Sequence, residues 1–132
     1  MNYYRDQITQ KSWQALATLV QKYKFVLIGG WAVWLYTKQL KSKDIDIVVG
    51  LDQLGKLAKD YDLVKNERLN KYEIRQEEIQ IDVYTPFYSK LGISCEDLLS
   101  TAVNLDGFMV PTPEVLVKLK MVAYQGRKGS DK

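Results

Sequence analysis

The sequence contains no histidine and a single cysteine, Cys95, among its 132 residues. Without histidine the chain cannot form a Ser–His–Asp triad or an ordinary zinc site with imidazole ligands, and one cysteine cannot form an internal disulfide. Any metal ion would therefore be held mainly by oxygen atoms, which are the ligands that magnesium and manganese favour.

Long apolar runs are also missing. Stretches such as Phe25–Ile28 are far shorter than the roughly 20 residues that a membrane-spanning helix needs. The first ten residues, MNYYRDQITQ, are polar and lack the apolar centre of a secretion signal. We therefore expect a reduced, cytoplasmic protein that does not associate with membranes.

The composition is that of an ordinary globular protein, with 46% hydrophobic and 27% charged residues. Its length suits one domain over residues 1–132. The formal net charge of +3 permits a phosphate-bearing partner without strongly indicating one.

Hydrophobic periodicity predicts elements in the order α-β-α-β-α-β-β-α-α. Strands are expected at Phe25–Ile28, Asp44–Val49, Tyr72–Gln76 and Ile79–Tyr84. Helices are expected at Gln7–Lys22, Trp31–Lys38, Leu51–Tyr61, Cys95–Val103 and from about Pro113 onward. The predicted fold is α+β (α/β), with a mixed sheet of about four strands packed against helices.

Two aspartates alternate with isoleucines in the segment DIDIVV. Residues two apart in a strand share a face, so Asp44 and Asp46 lie roughly 6.6 Å apart along one face, at about 3.3 Å per residue. Their mutual repulsion would be relieved by a divalent cation. The simpler alternative is that both carboxylates are solvated on an open face of the sheet.

Gly29 and Gly30 separate the first predicted strand from a helix. Backbone N–H groups at a helix N-terminus attract anions, and glycines let a phosphate approach the backbone closely. An ordinary strand-to-helix turn is the alternative interpretation.

Asp82 shares a face of its predicted strand with Gln80 and Tyr84. If this strand pairs beside the strand of Asp44 and Asp46, three carboxylates meet. Such a cluster can hold two magnesium ions roughly 3.5–4 Å apart, an arrangement suited to phosphoryl or nucleotidyl transfer. The third carboxylate is also a candidate base for the attacking hydroxyl. Alone, Asp82 is better explained as a solvated residue of a hairpin.

Together these segments resemble the DNA polymerase beta-like nucleotidyltransferase superfamily, whose pattern is a strand, Gly-Gly or Gly-Ser, a short spacer, and Asp-x-Asp/Glu. A third carboxylate follows on a later strand. The segment LIGGWAVWLYTKQLKSKDIDIVV is similar to small prokaryotic members, including minimal forms and the toxin-type enzymes of abortive-infection and toxin–antitoxin systems. Such proteins continue into more helix beyond the ending GRKGSDK, so the resemblance implies that the single domain over residues 1–132 is truncated at its C-terminus.

The resemblance implies catalytic and metal-binding roles, with Mg²⁺ or Mn²⁺, for Asp44, Asp46 and Asp82. It also implies that Gly29 and Gly30 cradle the triphosphate of a nucleoside triphosphate substrate. Further nucleotide contacts are expected from Lys43 and from Lys118 or Lys120. These last two point about 200° apart on a helix, so only one of them can face the site, and Lys118 is our candidate.

The favoured hypothesis is a metal-dependent transferase that moves a nucleoside monophosphate onto a hydroxyl of a protein, tRNA or other RNA, or small molecule. A partner or antitoxin chain could supply the acceptor surface. The alternatives are a non-catalytic module that binds nucleotide or pairs with another protein, and a metal-dependent hydrolase. The three aspartates argue against the first, and the diglycine argues against the second.

Overall fold

A computed structural model describes residues 3–130 of the chain, with side chains from residue 6 to residue 125. The whole segment GRKGSDK, residues 126–132, lies outside the described side chains. The helices are α1 (Tyr3–Lys22), α2 (Gly29–Thr37), α3 (Leu51–Asp60), α4 (Cys95–Thr101) and α5 (Pro113–Ser130). None of the helices in the described range is long and apolar enough to cross a membrane.

Seven strands are present within residues 3–130, and five of them form one mixed sheet. The strands are β1 (Val26–Ile28), β2 (Ile45–Val48), β3 (Val64–Asn66), β4 (Lys71–Gln76), β5 (Ile79–Tyr84), β6 (Val103–Leu105) and β7 (Phe108–Val110). The five-stranded sheet has the order β1-β2-β5-β4-β3, and β6 pairs with β7 in a separate hairpin. Only β2 and β5 are parallel; the other neighbours are antiparallel.

One face of the sheet forms the main hydrophobic core. Ile45 and Ile47 of β2 and Val83 of β5 are completely buried, and Ile81 is 1% exposed. Leu16 and Leu19 of α1, Trp31 of α2 and Leu57 of α3 belong to the same cluster. The period-two alternation of β2 and β5 sends these side chains inward and therefore sends their neighbours to the opposite face.

The opposite face is only partly covered. Val26, Ile28 and Val48 form a second, smaller cluster there with Cys95 and Leu98 of α4. Ser94 caps α4, its hydroxyl accepting a hydrogen bond from the Asp97 backbone N–H at 3.0 Å. The remainder of this face carries the polar side chains of β2, β5 and β4.

The mixed sheet packed against helices confirms the predicted fold class. The four predicted strands and the helix starting at Pro113 are all present, and β4 and β5 form a hairpin that turns at Glu77-Glu78. The predicted helix Cys95–Val103 was too long, because α4 ends at Thr101 and Val103 begins β6. The prediction also missed β3, a three-residue edge strand with no apolar alternation.

Candidate active site

Three carboxylates cross the polar face of the sheet in one row. Asp46 of β2 lies directly opposite Asp82 of the parallel strand β5, and Asp82 lies opposite Glu73 of β4. We call Asp46, Asp82 and Glu73 the acidic row. Asp44 precedes β2, and its Oδ1 accepts a hydrogen bond from the Gln80 backbone N–H at 3.0 Å. Asp46 and Asp82 therefore share one face of neighbouring strands. Asp44 lies just before β2, close enough for its negative charge to act on Asp46.

Positive charge is concentrated at the β4 end of the acidic row. The Lys71 Nζ lies 3.1 Å from Asp82 Oδ1 and 3.7 Å from Glu73 Oε2. An Arg75 guanidinium nitrogen lies 3.3 Å from Glu73 Oε1. Hydrogen bonds from Asn66 and then Arg75, together with the nearby lysine, hold the pKa of Glu73 below its usual value. Glu73 is thus a compensated carboxylate.

Asp46, at the β2 end of the row, is in the opposite situation. Burial, followed by the negative charge of Asp82, raises the pKa of Asp46 to about 7, although Lys71 opposes this shift. The Tyr84 hydroxyl donates a hydrogen bond to Asp46 Oδ1 at 3.5 Å. Burial and these two carboxylates also raise the pKa of Tyr84. The β2 end of the row therefore carries negative charge whose compensation is incomplete.

Gly29 places the N-terminus of α2 against the Asp46 carboxylate, whose charge is incompletely compensated. Its φ is +72°, and a Cβ added there would lie 2.3 Å from Asp46 Oδ2, so glycine is required by both conformation and space. A Cβ on Gly30 would lie 2.8 Å from the Ser42 hydroxyl oxygen. The N-cap residue Ile28 makes no side-chain capping hydrogen bond, so no side chain from that position competes for the first N–H groups of α2.

A cleft of about 540 Å³ opens beside this junction. Its polar side includes Gly29, Gly30, Asp46, Lys43 and Lys120. Its apolar side is formed by Leu40, Leu91, Leu116, Leu119 and Ala123, among others. The cleft therefore joins the diglycine and the β2 end of the acidic row to an apolar wall on α5.

The predicted lysines are placed differently from one another. Lys43 is exposed and lines the cleft, and Lys120 lines it from α5. Lys118 is exposed on α5 but is not among the cleft-lining residues. The structure thus brings Lys43 to the site and, of the two helical lysines, places Lys120 there.

The carboxylates suit a hard divalent cation in donor chemistry, because oxygen ligands favour magnesium and manganese. Their present arrangement is nevertheless open: within residues 3–130, no group of three or more His, Cys, Asp or Glu side chains is arranged to hold a metal ion. Asp44 Oδ1 accepts from the Gln80 backbone, and Asp82 Oδ1 accepts from the Gln80 side chain at 2.6 Å. The raised pKa of Asp46 nevertheless marks the place where an added cation would relieve repulsion.

Sequence reasoning missed Lys71 and Glu73, although a signal was present. The two-residue turn at Glu77-Glu78 pairs Gln76 with Ile79, which fixes the register of the whole hairpin. Counting back from that pair places Glu73 opposite Asp82. Lys71 then falls two residues further on the same face, next to the carboxylate pair.

Among solved structures, the chain is similar to a crystal structure of a "putative nucleotidyltransferase" from Thermotoga maritima. The TM-score is 0.58 at 14% identity, over 95% of this chain and 88% of that chain. At this identity the likeness shows the fold alone. No family model and no curated protein matches the sequence.

Proposed function

We propose that the protein is a metal-dependent nucleotidyltransferase that moves a nucleoside monophosphate from a nucleoside triphosphate to a hydroxyl acceptor. The observation that carries the proposal is the junction of Gly29 with the acidic row. A helix N-terminus, a half-buried carboxylate with a raised pKa and a cleft meet at this point. Such a junction suits a substrate that is polyanionic and is bound together with a cation.

The triphosphate would lie against the start of α2. Backbone N–H groups of Gly29 and Gly30, together with the positive end of the helix dipole, would bind its oxygens. Lys43 and Lys120, which line the same cleft, would add positive charge. The apolar wall on α5, including Leu116 and Leu119, would hold the nucleoside or the acceptor away from water.

Asp44, Asp46 and Asp82 would hold the cation, either magnesium or manganese. When bound, the cation would neutralise phosphate charge and make the attacking hydroxyl more acidic. Asp82 is fixed by a hydrogen bond from Gln80 and an ion pair with Lys71, so its carboxylate has a defined position for a contact with the acceptor hydroxyl. We infer that this carboxylate takes the hydroxyl proton as the new P–O bond forms and the bond to pyrophosphate breaks.

The proposal extends to an acceptor presented by another molecule, such as a protein side chain, an RNA end or a small molecule. Val117, Met121 and Tyr124 are exposed along α5 at helical spacing, which supports contact with a partner chain. A role in a toxin–antitoxin or defence system is the biological setting that we propose for such a pairing.

The proposal is tested by label transfer. The protein is incubated with each α-³²P-labelled nucleoside triphosphate, magnesium and a cellular extract, and labelled acceptors are separated by size. We expect transfer with the wild type and none with Asp44→Asn/Asp46→Asn. Asp62→Asn is the matched control, because it removes an exposed carboxylate outside the site. Equal labelling by the wild type and the double variant would defeat the proposal.

A further inference from the structure

Lys71 is a buried lysine at the centre of the acidic row. Its side chain is 11% exposed, and its Nζ lies between Asp82 and Glu73. Burying an ammonium group costs free energy unless charged partners compensate for the lost hydration. The two carboxylates supply that compensation, and in return the lysine neutralises part of their charge.

The backbone fixes the position of this ammonium group. Lys71 belongs to β4, which is held between β3 and β5 by antiparallel pairing on both sides. The neighbouring Tyr72 packs against Tyr88, with ring centroids 5.3 Å apart. The lysine stem therefore starts from a restrained strand rather than from a mobile loop, and its charge is a built-in feature of the polar face.

Charge compensation along the acidic row is uneven. Glu73 accepts hydrogen bonds from Asn66 and Arg75 and forms an ion pair with Lys71. Asp82 forms an ion pair with Lys71 and accepts a hydrogen bond from Gln80. For Asp46, by contrast, the structure gives a long hydrogen bond of 3.5 Å from the Tyr84 hydroxyl. The negative charge of the acidic row is thus compensated on the β4 side. On the β2 side, next to Asp44, less of that charge is compensated.

We propose that the Lys71 ammonium group occupies the place of a second cation, so that the site takes one divalent ion, held by Asp44, Asp46 and the remaining carboxylate oxygen of Asp82. This inference rests on the proposed function, since it concerns the ion used there. A second divalent ion beside Asp82 would lie close to the ammonium group, whose Nζ is 3.1 Å from Asp82 Oδ1. Two positive charges that close together repel strongly in a partly buried site. Lys71 is therefore a positioning residue that sets the number of ions.

This differs from the two-ion site expected from three carboxylates alone. That expectation counted Asp44, Asp46 and Asp82 but not the lysine paired with the last of them. With Lys71 in place, Asp82 Oδ1 is already engaged. The lysine would also keep Asp82 compensated when no divalent ion is bound, which preserves the strand pairing around the site.

The test measures Mn²⁺ binding without nucleotide, following the electron paramagnetic resonance signal of free Mn²⁺ during titration. The variants are Lys71→Gln, which removes the charge, and Lys71→Arg, which keeps it. Lys38→Gln is the matched control: it removes a lysine paired with Asp106 at 2.9 Å, at the far end of α2. Asp46→Asn sets the background of ions bound elsewhere, and thermal melting confirms that each variant folds.

We expect one Mn²⁺ above background for the wild type, Lys71→Arg and Lys38→Gln. Lys71→Gln should bind a second ion at least about tenfold more tightly than the wild type does. Two ions in the wild type, none in the wild type, or identical titrations of Lys71→Gln and wild type would each overturn the inference. If the stoichiometries are as expected but no nucleotide is transferred, the proposed function fails and the inference about Lys71 stands.

Discussion

The two faces of the same pair of strands have opposite characters. On one face of β2 and β5, Ile45, Ile47 and Val83 are completely buried beneath the helices. On the other, Asp46 and Asp82 lie directly opposite each other, and Asp46 lines a cleft. A single alternating pattern therefore builds the core with every second residue and concentrates negative charge with the rest.

The apolar face stabilises the fold, whereas the polar face carries the proposed function. The apolar face contributes burial free energy, roughly 25 cal/mol for each Å² of apolar surface removed from water. The polar face opposes folding to some extent, because Asp46 is held with a raised pKa beside another carboxylate. Such a destabilising cluster is common where a site is built to bind a charged ligand.

The largest stability loss is expected on the apolar face. Ile47→Ala should lower the free energy of unfolding by about 2–5 kcal/mol, because it leaves a cavity at a completely buried position. Urea denaturation would measure the change. Asp62→Asn, on the surface, should shift the midpoint little, and an equal shift in both variants would contradict this account of the core.

The next largest effect is expected at the junction of the glycine turn with the acidic row. Gly29→Ala requires an alanine at φ +72° and places its Cβ against the Asp46 carboxylate. It should lower stability by at least about 1 kcal/mol and also weaken nucleotide binding. Gly107→Ala is a suitable comparison, since φ there is also positive but no atom lies within 4 Å of the added Cβ. Similar losses of nucleotide binding in both variants would argue against the close approach at Gly29.

A smaller effect, of opposite sign, is expected for Asp46 in metal-free protein. Its folded-state pKa of about 7 lies above the usual carboxyl value, so the folded protein binds this proton more tightly than the unfolded chain does. Its contribution to stability is therefore present at acidic pH and is lost as the pH rises from about 4 to about 7.

Asp46→Asn should remove this contribution and flatten the pH dependence. Above pH 7 the variant should consequently melt at a higher temperature than the wild type. Thermal melts at pH 4, 6 and 8 in the presence of a chelator would measure the difference. A wild-type protein whose stability, relative to Asp46→Asn, is unchanged across this range would show that the carboxylate is not under the strain described.

The smallest effect is expected from the two lysines on α5. Lys120→Ala should raise the KM for nucleotide by no more than about fivefold, since an exposed ion pair contributes about 1 kcal/mol or less. Lys118→Ala should leave KM unchanged, because Lys118 does not line the cleft. The reverse ranking would place the triphosphate on another part of the helix than we propose.

The sequence predicted the two faces because alternation is a local property. The alternation of apolar and polar residues in DIDIVV and IQIDVY predicts which side chains are buried, and the glycines indicate where the first strand ends. The pairing of β2 with β5 is a long-range contact that no local pattern determines. The resemblance to a known family supplied it as an expectation.

The charge balance of the site was harder to predict. Lys71 and Glu73 belong to β4, and their meeting with Asp82 depends on hairpin register rather than on residue type. The choice between Lys118 and Lys120 required the rotation of α5 about its axis, which is set by the packing of Leu116 and Leu119. Both properties follow from tertiary contacts.

The central claim is that Asp44, Asp46 and Asp82 form a cation-dependent triphosphate site together with the diglycine. It is tested most directly by calorimetric titration of a non-hydrolysable nucleoside triphosphate, with and without magnesium, into wild type and Asp46→Asn. We predict binding to the wild type that requires magnesium and is lost in the variant. Binding that is equal with and without magnesium, or unaffected by Asp46→Asn, would contradict the claim.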